Sequence, residues 1–255
     1  MKIGAMNNPR NDIPTALGAF AASGFDYIDL TLEHPKAHVD FIDRKEVLSA
    51  IRSSGLGVVG HTTYYLPFAS PINSIRQAAI EDVVKTLGFF KEAGARTVTV
   101  HPDSGVGTIE PKTTISLNAL SFKIISDEAA KHDLTIVVEN MPGLFSSSEA
   151  LHNILSTVPA LRFHLDVGHA VLRGNKFKQL VGAFKDKLVH VHISDNRTRD
   201  DDHMPIGAGN INWPEVIQGL KGIGYDATIT LEVFAADPRY LAASREKLLE
   251  LWNPA

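Results

Sequence analysis

The sequence predicts a single (β/α)8 barrel over residues 1–255, and three observations carry that expectation. Short apolar runs alternate with longer amphipathic segments from one end of the chain to the other. No fixed-period repeat, low-complexity stretch or Pro/Gly/Ser-rich linker divides them. Almost every strand-like run ends in an ionisable side chain, and the carboxyl ends of the strands are where such a barrel builds its active site. An open, doubly wound sheet is the structural alternative.

The elements follow in order. Strands are expected near Lys2–Met6, Tyr27–Leu32, Gly57–Gly60, Thr97–Val100, Thr135–Val138, Leu161–Leu165, Leu188–Ile193 and Thr228–Leu231. Helical periodicity fills the gaps near Ile13–Ala22, Arg44–Ser53, Ile72–Ala93, Thr114–Lys131, Ser148–Ser156, Phe177–Ala183, Trp213–Gly222 and Tyr240–Leu251. Ser54-Gly55 and Ala93-Gly94 read as helix stops.

With 44% hydrophobic residues, the 255-residue chain can fill a full core. A net charge of −4 argues against a general nucleic-acid surface, because phosphate binding draws on clustered Lys and Arg. The absence of cysteine excludes disulfides, thiolate metal sites and cysteine nucleophiles, and fits a reducing cytoplasm. No apolar run is long enough to span a bilayer and the first ten residues contain no signal-like core, so a soluble, cytoplasmic protein is expected.

The strand ends carry the functional signal. The second strand ends at Glu33, the third at His61, the fourth at His101, the fifth at Glu139 and the sixth at Asp166, with His169 three residues on. The seventh contributes His192 and the eighth Glu232. Buried charges are costly unless paired or metal-bound, so this set around one mouth points to a divalent cation. In the stretch R-F-H-L-D-V-G-H-A, from Arg162 to Ala170, the structural alternative is an Asp that caps the next helix. In the loop after the seventh strand, Asp201 and His203 are two apart, and an extended backbone turns both to one side. A solvated acidic loop is the alternative there.

The motifs H-T-T-Y-Y-L-P-F-A-S-P from His61, V-H-P-D-S-G from Val100, V-E-N-M-P-G from Val138, L-D-V-G-H from Leu165, H-I-S-D-N from His192, D-D-H from Asp201 and L-E-V from Leu231 together resemble the xylose isomerase-like barrel superfamily. That superfamily includes endonuclease IV and sugar epimerases. Resemblance to its epimerases implies one metal held by Glu139, Asp166, His192 and Glu232, with the two glutamates moving a proton beside a carbonyl. Resemblance to its endonucleases implies a trinuclear zinc cluster on His61, His101, Glu139, Asp166, His169, His192, Asp201, His203 and Glu232. The chain departs from both: Asn7-Asn8-Pro9-Arg10 replaces the endonucleases' glycine-rich loop, and Phe145 stands where the epimerases place a further glutamate.

The resulting expectation is a divalent-metal-dependent isomerase or epimerase of a small sugar or sugar phosphate, with a trinuclear zinc phosphoester hydrolase as the alternative. The cofactor is zinc or manganese, one to three ions, and the partner is a small carbohydrate rather than nucleic acid or membrane, with a homo-oligomer left open. Arg197, Tyr64 and Glu33 are candidate substrate contacts, against solvated-loop, loop-packing and strand-exit roles. His34, His38, His132 and His152 are assigned surface or capping roles. His164 and His190, two residues before proposed ligands, are assigned a layer beneath the metal. The cations from Arg173 to Lys187 read as a solvated helix face, with phosphate binding as the alternative.

Overall fold

Eight parallel strands close on themselves in chain order: β1 (Lys2–Met6), β2 (Tyr27–Leu32), β3 (Gly57–Thr62), β4 (Thr97–Val100), β5 (Thr135–Glu139), β6 (Arg162–Asp166), β7 (Leu188–Ile193) and β8 (Thr228–Leu231), with β8 pairing back onto β1. The computed structural model describes residues 1–253; Pro254 and Ala255, which the single-barrel expectation includes, lie outside the described residues. Around the strands run α1 (Ile13–Ala22), α2 (Arg44–Ser54), α3 (Asn73–Glu92), α4 (Pro111–Ala130), α5 (Ser148–Thr157), α6 (Val167–Val171), α7 (Phe177–Phe184), α8 (Trp213–Gly222) and α9 (Arg239–Trp252). The expected closed barrel is therefore observed. None of the helices among the described residues is long and apolar enough to cross a membrane.

Local chemistry sets the element ends. Asp12 caps α1 by accepting from the Thr15 N–H at 2.9 Å, and Asp43 caps α2 through the Lys45 and Glu46 N–H groups. Gly55 ends α2 at φ 69°, a left-handed conformation that glycine adopts without steric cost. On the outer face of β3, a Cβ on Gly60 would stand 2.8 Å from the Phe90 ring, so glycine lets α3 close onto the barrel. Phe90 is fully buried there, worth about 2–3 kcal/mol of apolar transfer.

Two short elements were not anticipated. A 3-10 turn covers Gly143–Ser146, and α6 begins directly at the end of β6. The Asp166 carboxylate accepts from the His169 N–H at 2.6 Å and so caps α6. The capping reading of Asp166 is observed through Oδ1, while Oδ2 remains without a hydrogen-bond partner.

Candidate metal centre

Side chains two apart on one strand point to the same side, so His164 with Asp166 and His190 with His192 enter the barrel together. Register aligns them: Asp166 pairs with His192 and His164 with His190. His61 and Glu139 enter from β3 and β5, and His101 and Glu232 follow β4 and β8. All of these groups are buried, with Glu232 the most accessible at 9%.

Three donor groups form at the carboxyl end. His61 Nε2 lies 2.8 Å from His101 Nε2, which lies 3.2 Å from Glu139 Oε2. Glu139, Asp166 and His192 converge as a second group, with Glu232 Oε2 3.1 Å from His192 Nδ1. Asp201 Oδ2 lies between His169 Nε2 at 3.0 Å and His203 Nε2 at 3.1 Å, forming the third. Glu139 belongs to both of the first two and reaches toward the third, its Oε1 3.2 Å from His169 Nδ1.

Backbone clamps hold this arrangement. Asn140 binds the end of β6 in both directions: its Nδ2 donates to the Asp166 carbonyl at 2.9 Å and its Oδ1 accepts from the Asp166 N–H at 2.8 Å. Asp195 organises the loop that delivers Asp201 and His203. Its carboxylate accepts from the Gly207 N–H at 2.8 Å and from Trp213 Nε1 at 2.9 Å, while its backbone pairs with Met204.

Beneath the donors lies Asp29, in the middle of β2 and fully buried. Its Oδ2 accepts from His192 Nε2 at 2.7 Å, His190 Nε2 at 2.8 Å and Thr230 Oγ1 at 2.8 Å. Burial alone would raise the Asp29 carboxyl; His192, His190 and His61 hold it well below the usual range. Burial likewise works against the His192 imidazolium, but Asp29 and Glu232 lift it well above its ordinary value. Sequence reasoning missed Asp29, although a carboxylate inside the apolar run Y-I-D-L-T-L was a readable signal.

The donor set fits a divalent cation. Asp166 Oδ2 and Glu139 Oε2 are buried without a hydrogen-bond partner. Burial pushes the Asp166 carboxyl up; His169 opposes this, yet the Glu139, Glu232 and Asp201 charges help bring it to about 7. A cation supplies the missing counter-charge and takes up the free lone pairs. Mixed imidazole and carboxylate ligands suit zinc or manganese.

A cavity of about 320 Å³ opens above these residues. It is lined by Glu33, His61, Tyr64, His101, Glu139, His169, Asp201, His203 and Glu232, with Met6, Pro9, Met141, Pro142 and Phe234 as its apolar wall. Asp166 and His192 lie below its floor. Arg197 does not line it: the side chain is 67% exposed and turned toward Asp202, because the loop's polar end faces solvent. His38, assigned to the surface, is instead buried, stacked on His34 and 3.4 Å from Asp82. His164 and His190 do sit one layer down, against Glu139 and Asp29. Arg173 and Lys176 line a separate cleft rather than an open helix face.

The family model described as xylose isomerase-like TIM barrel matches residues 17–251. The chain belongs to that family. This xylose isomerase-like barrel is similar to a D-tagatose 3-epimerase-like protein of known structure, with a TM-score of 0.88 and 26% identity over 98% of this chain and 97% of that one. It is 25% identical over 232 residues to an L-ribulose 3-epimerase of Methylomonas sp., covering 87% of this chain and 78% of the relative. It is also 22% identical over 255 residues to a probable endonuclease 4 of Aquifex aeolicus, covering 90% and 87%. The chain spans about three fifths of the length of the uncharacterized Methanocaldococcus jannaschii relatives it matches, one of them 30% identical over 174 residues.

Proposed function

We propose that the protein is a divalent-metal-dependent isomerase or epimerase of a small sugar or sugar phosphate. The observation that carries this reading is the pair Glu139 and Glu232, which enter one cavity from strands three apart, with Asp166 and His192 beneath them. Similarity to sugar 3-epimerases across nearly the whole chain supports it. A bound divalent cation supplies Lewis-acid polarisation of the substrate carbonyl and its neighbouring hydroxyl. One of the two glutamates removes the proton from the carbon beside that carbonyl; a proton then returns from the other glutamate to the opposite face of that carbon in an epimerisation, or goes to the former carbonyl carbon in an isomerisation. Glu33 at the rim accepts from a sugar hydroxyl. Tyr64, Met141 and Phe234 line the same cavity and supply an apolar surface for the sugar's carbon face.

A second reading, a multinuclear phosphoester hydrolase, rests on a different observation: Glu139 is shared between two donor groups and Asp201 joins a third. Such an array suits up to three ions that clamp phosphoryl oxygens.

Incubation of a ketose with the zinc- or manganese-loaded protein in D2O separates the two. The isomerase reading expects deuterium at the carbon beside the carbonyl, lost by about a hundred- to ten-thousand-fold in Glu139→Gln and Glu232→Gln. Nicking of an abasic duplex by a three-zinc protein, with no deuterium incorporation, would transfer the assignment to the hydrolase.

A further inference from the structure

A second cleft, of about 560 Å³, adjoins the candidate metal centre and shares Pro142, His169 and Asp201 with its cavity. Arg173, Lys176 and Arg199 line it. Two loops bring them together: Arg173 and Lys176 precede α7, and Arg199 lies in the loop after β7. The Arg173 N–H donates to the Thr198 carbonyl at 3.1 Å, which ties these loops to one another. Lys176 Nζ donates to Ser146 Oγ at 2.6 Å and so is held against the cleft wall.

These cations are not spent on the protein's own carboxylates. The arginine ion pairs among the described residues involve Arg44, Arg197 and Arg239, leaving Arg173 and Arg199 free. Two acidic residues also line the cleft. Asp201 is engaged by His169 and His203, while Asp200 remains at the rim. Guanidinium forks match phosphate oxygens in pairs, and three cations around one cleft suit a dianion better than a lone carboxylate.

We propose that the Arg173–Lys176–Arg199 cleft is the binding site for a phosphate monoester on the substrate, so that the protein acts on a sugar phosphate rather than a free sugar. This rests on the reading that the reacting carbon lies between Glu139 and Glu232. The sugar chain then runs past His169, and its phosphate ends among the three cations.

The test is calorimetric titration of the metal-loaded full-length protein with a ketopentose 5-phosphate and with the free ketopentose, alongside turnover of each. The phosphate ester is expected to bind at least about tenfold more tightly than the free sugar. Arg173→Gln and Arg199→Gln are each expected to weaken the ester about tenfold while leaving free-sugar binding unchanged. Melting curves matching those of the parent protein exclude misfolding at these exposed positions. Equal affinity for ester and free sugar overturns the proposal, as does ester binding indifferent to both substitutions. Selective binding of an abasic oligonucleotide, lost in the arginine variants, would also overturn it. Arginine-dependent ester binding without isomerisation retains the cleft and removes the isomerase reading. Isomerisation of ester and free sugar alike, with ester turnover indifferent to both substitutions, does the reverse.

Discussion

The carboxylate of Asp29 accepts from His192 Nε2 at 2.7 Å, while the opposite nitrogen of that ring faces Glu232. One imidazole therefore bridges a fully buried anion below and the donor cluster above. The Asp29 contact fixes the ring's orientation and leaves Nδ1 turned toward the donor cluster; a carboxylate so placed raises the basicity of a histidine toward a cation.

Replacing that charge without changing its shape tests the relationship. Asp29→Asn is expected to weaken metal binding by about ten- to a hundredfold in competition with a chelator. Unchanged metal affinity with a lowered melting temperature would reduce Asp29 to a structural role.

Asp166 makes the metal-free protein work against itself. Its folded pKa of about 7 lies above the ordinary 3.8, so ionisation costs the fold stability as pH rises between those values. Asp166→Asn keeps a cap acceptor for α6 but removes the charge. The metal-free variant should melt about 2 °C or more above the parent at pH 8, yet gain less from added zinc or manganese. A lower melting temperature in the absence of metal would show that cap geometry, not charge, dominates at this position.

His203 gives a contribution in a higher pH window. Burial opposes its protonation, but the Asp201 hydrogen bond and the Glu232, Asp201 and Asp166 charges push its pKa up to about 9 from the ordinary 6.5. Its contribution is fully present below about 6.5 and is lost as pH rises through about 9. The melting temperature of the metal-free protein should fall across that interval, and His203→Gln should flatten the slope. Parallel profiles would show that this ion pair does not set the pH dependence.

The loop after β7 tolerates no side chain at Gly209, where a Cβ would collide with Asp195 Oδ1 and the Asn196 carbonyl. Gly209→Ala is expected to displace Asp201 and His203 at a cost of about 1–3 kcal/mol. Metal stoichiometry should fall while far-UV circular dichroism reports an intact barrel. Full stoichiometry in this variant would mean that the loop can shift without moving its ligands.

Elements were legible where periodicity is strong: all eight strands and the major helices follow the expected order, with ends displaced by a few residues. The 3-10 turn at Gly143–Ser146 and the five-residue α6 escaped because elements of one turn contain no repeat to read. In the site, His61, Glu139 and Glu232 could be placed from strand ends alone. Asp29 could not, because it lies mid-strand, and its partners His190 and His192 are more than 160 residues away in the chain.

By itself, the sequence determined the barrel and the end of it that gathers ionisable groups, since strand–helix alternation and the residue at each strand's carboxyl end are local properties. Tertiary structure alone decided which groups share a carboxylate, which histidine rests on Asp29, and which cations join the neighbouring cleft. It also turned Arg197 away from the cavity and set Arg173 and Lys176 in the adjoining cleft. Those outcomes depend on barrel closure, register and loop docking, which bring distant residues within hydrogen-bond reach and exclude the water that would otherwise screen them.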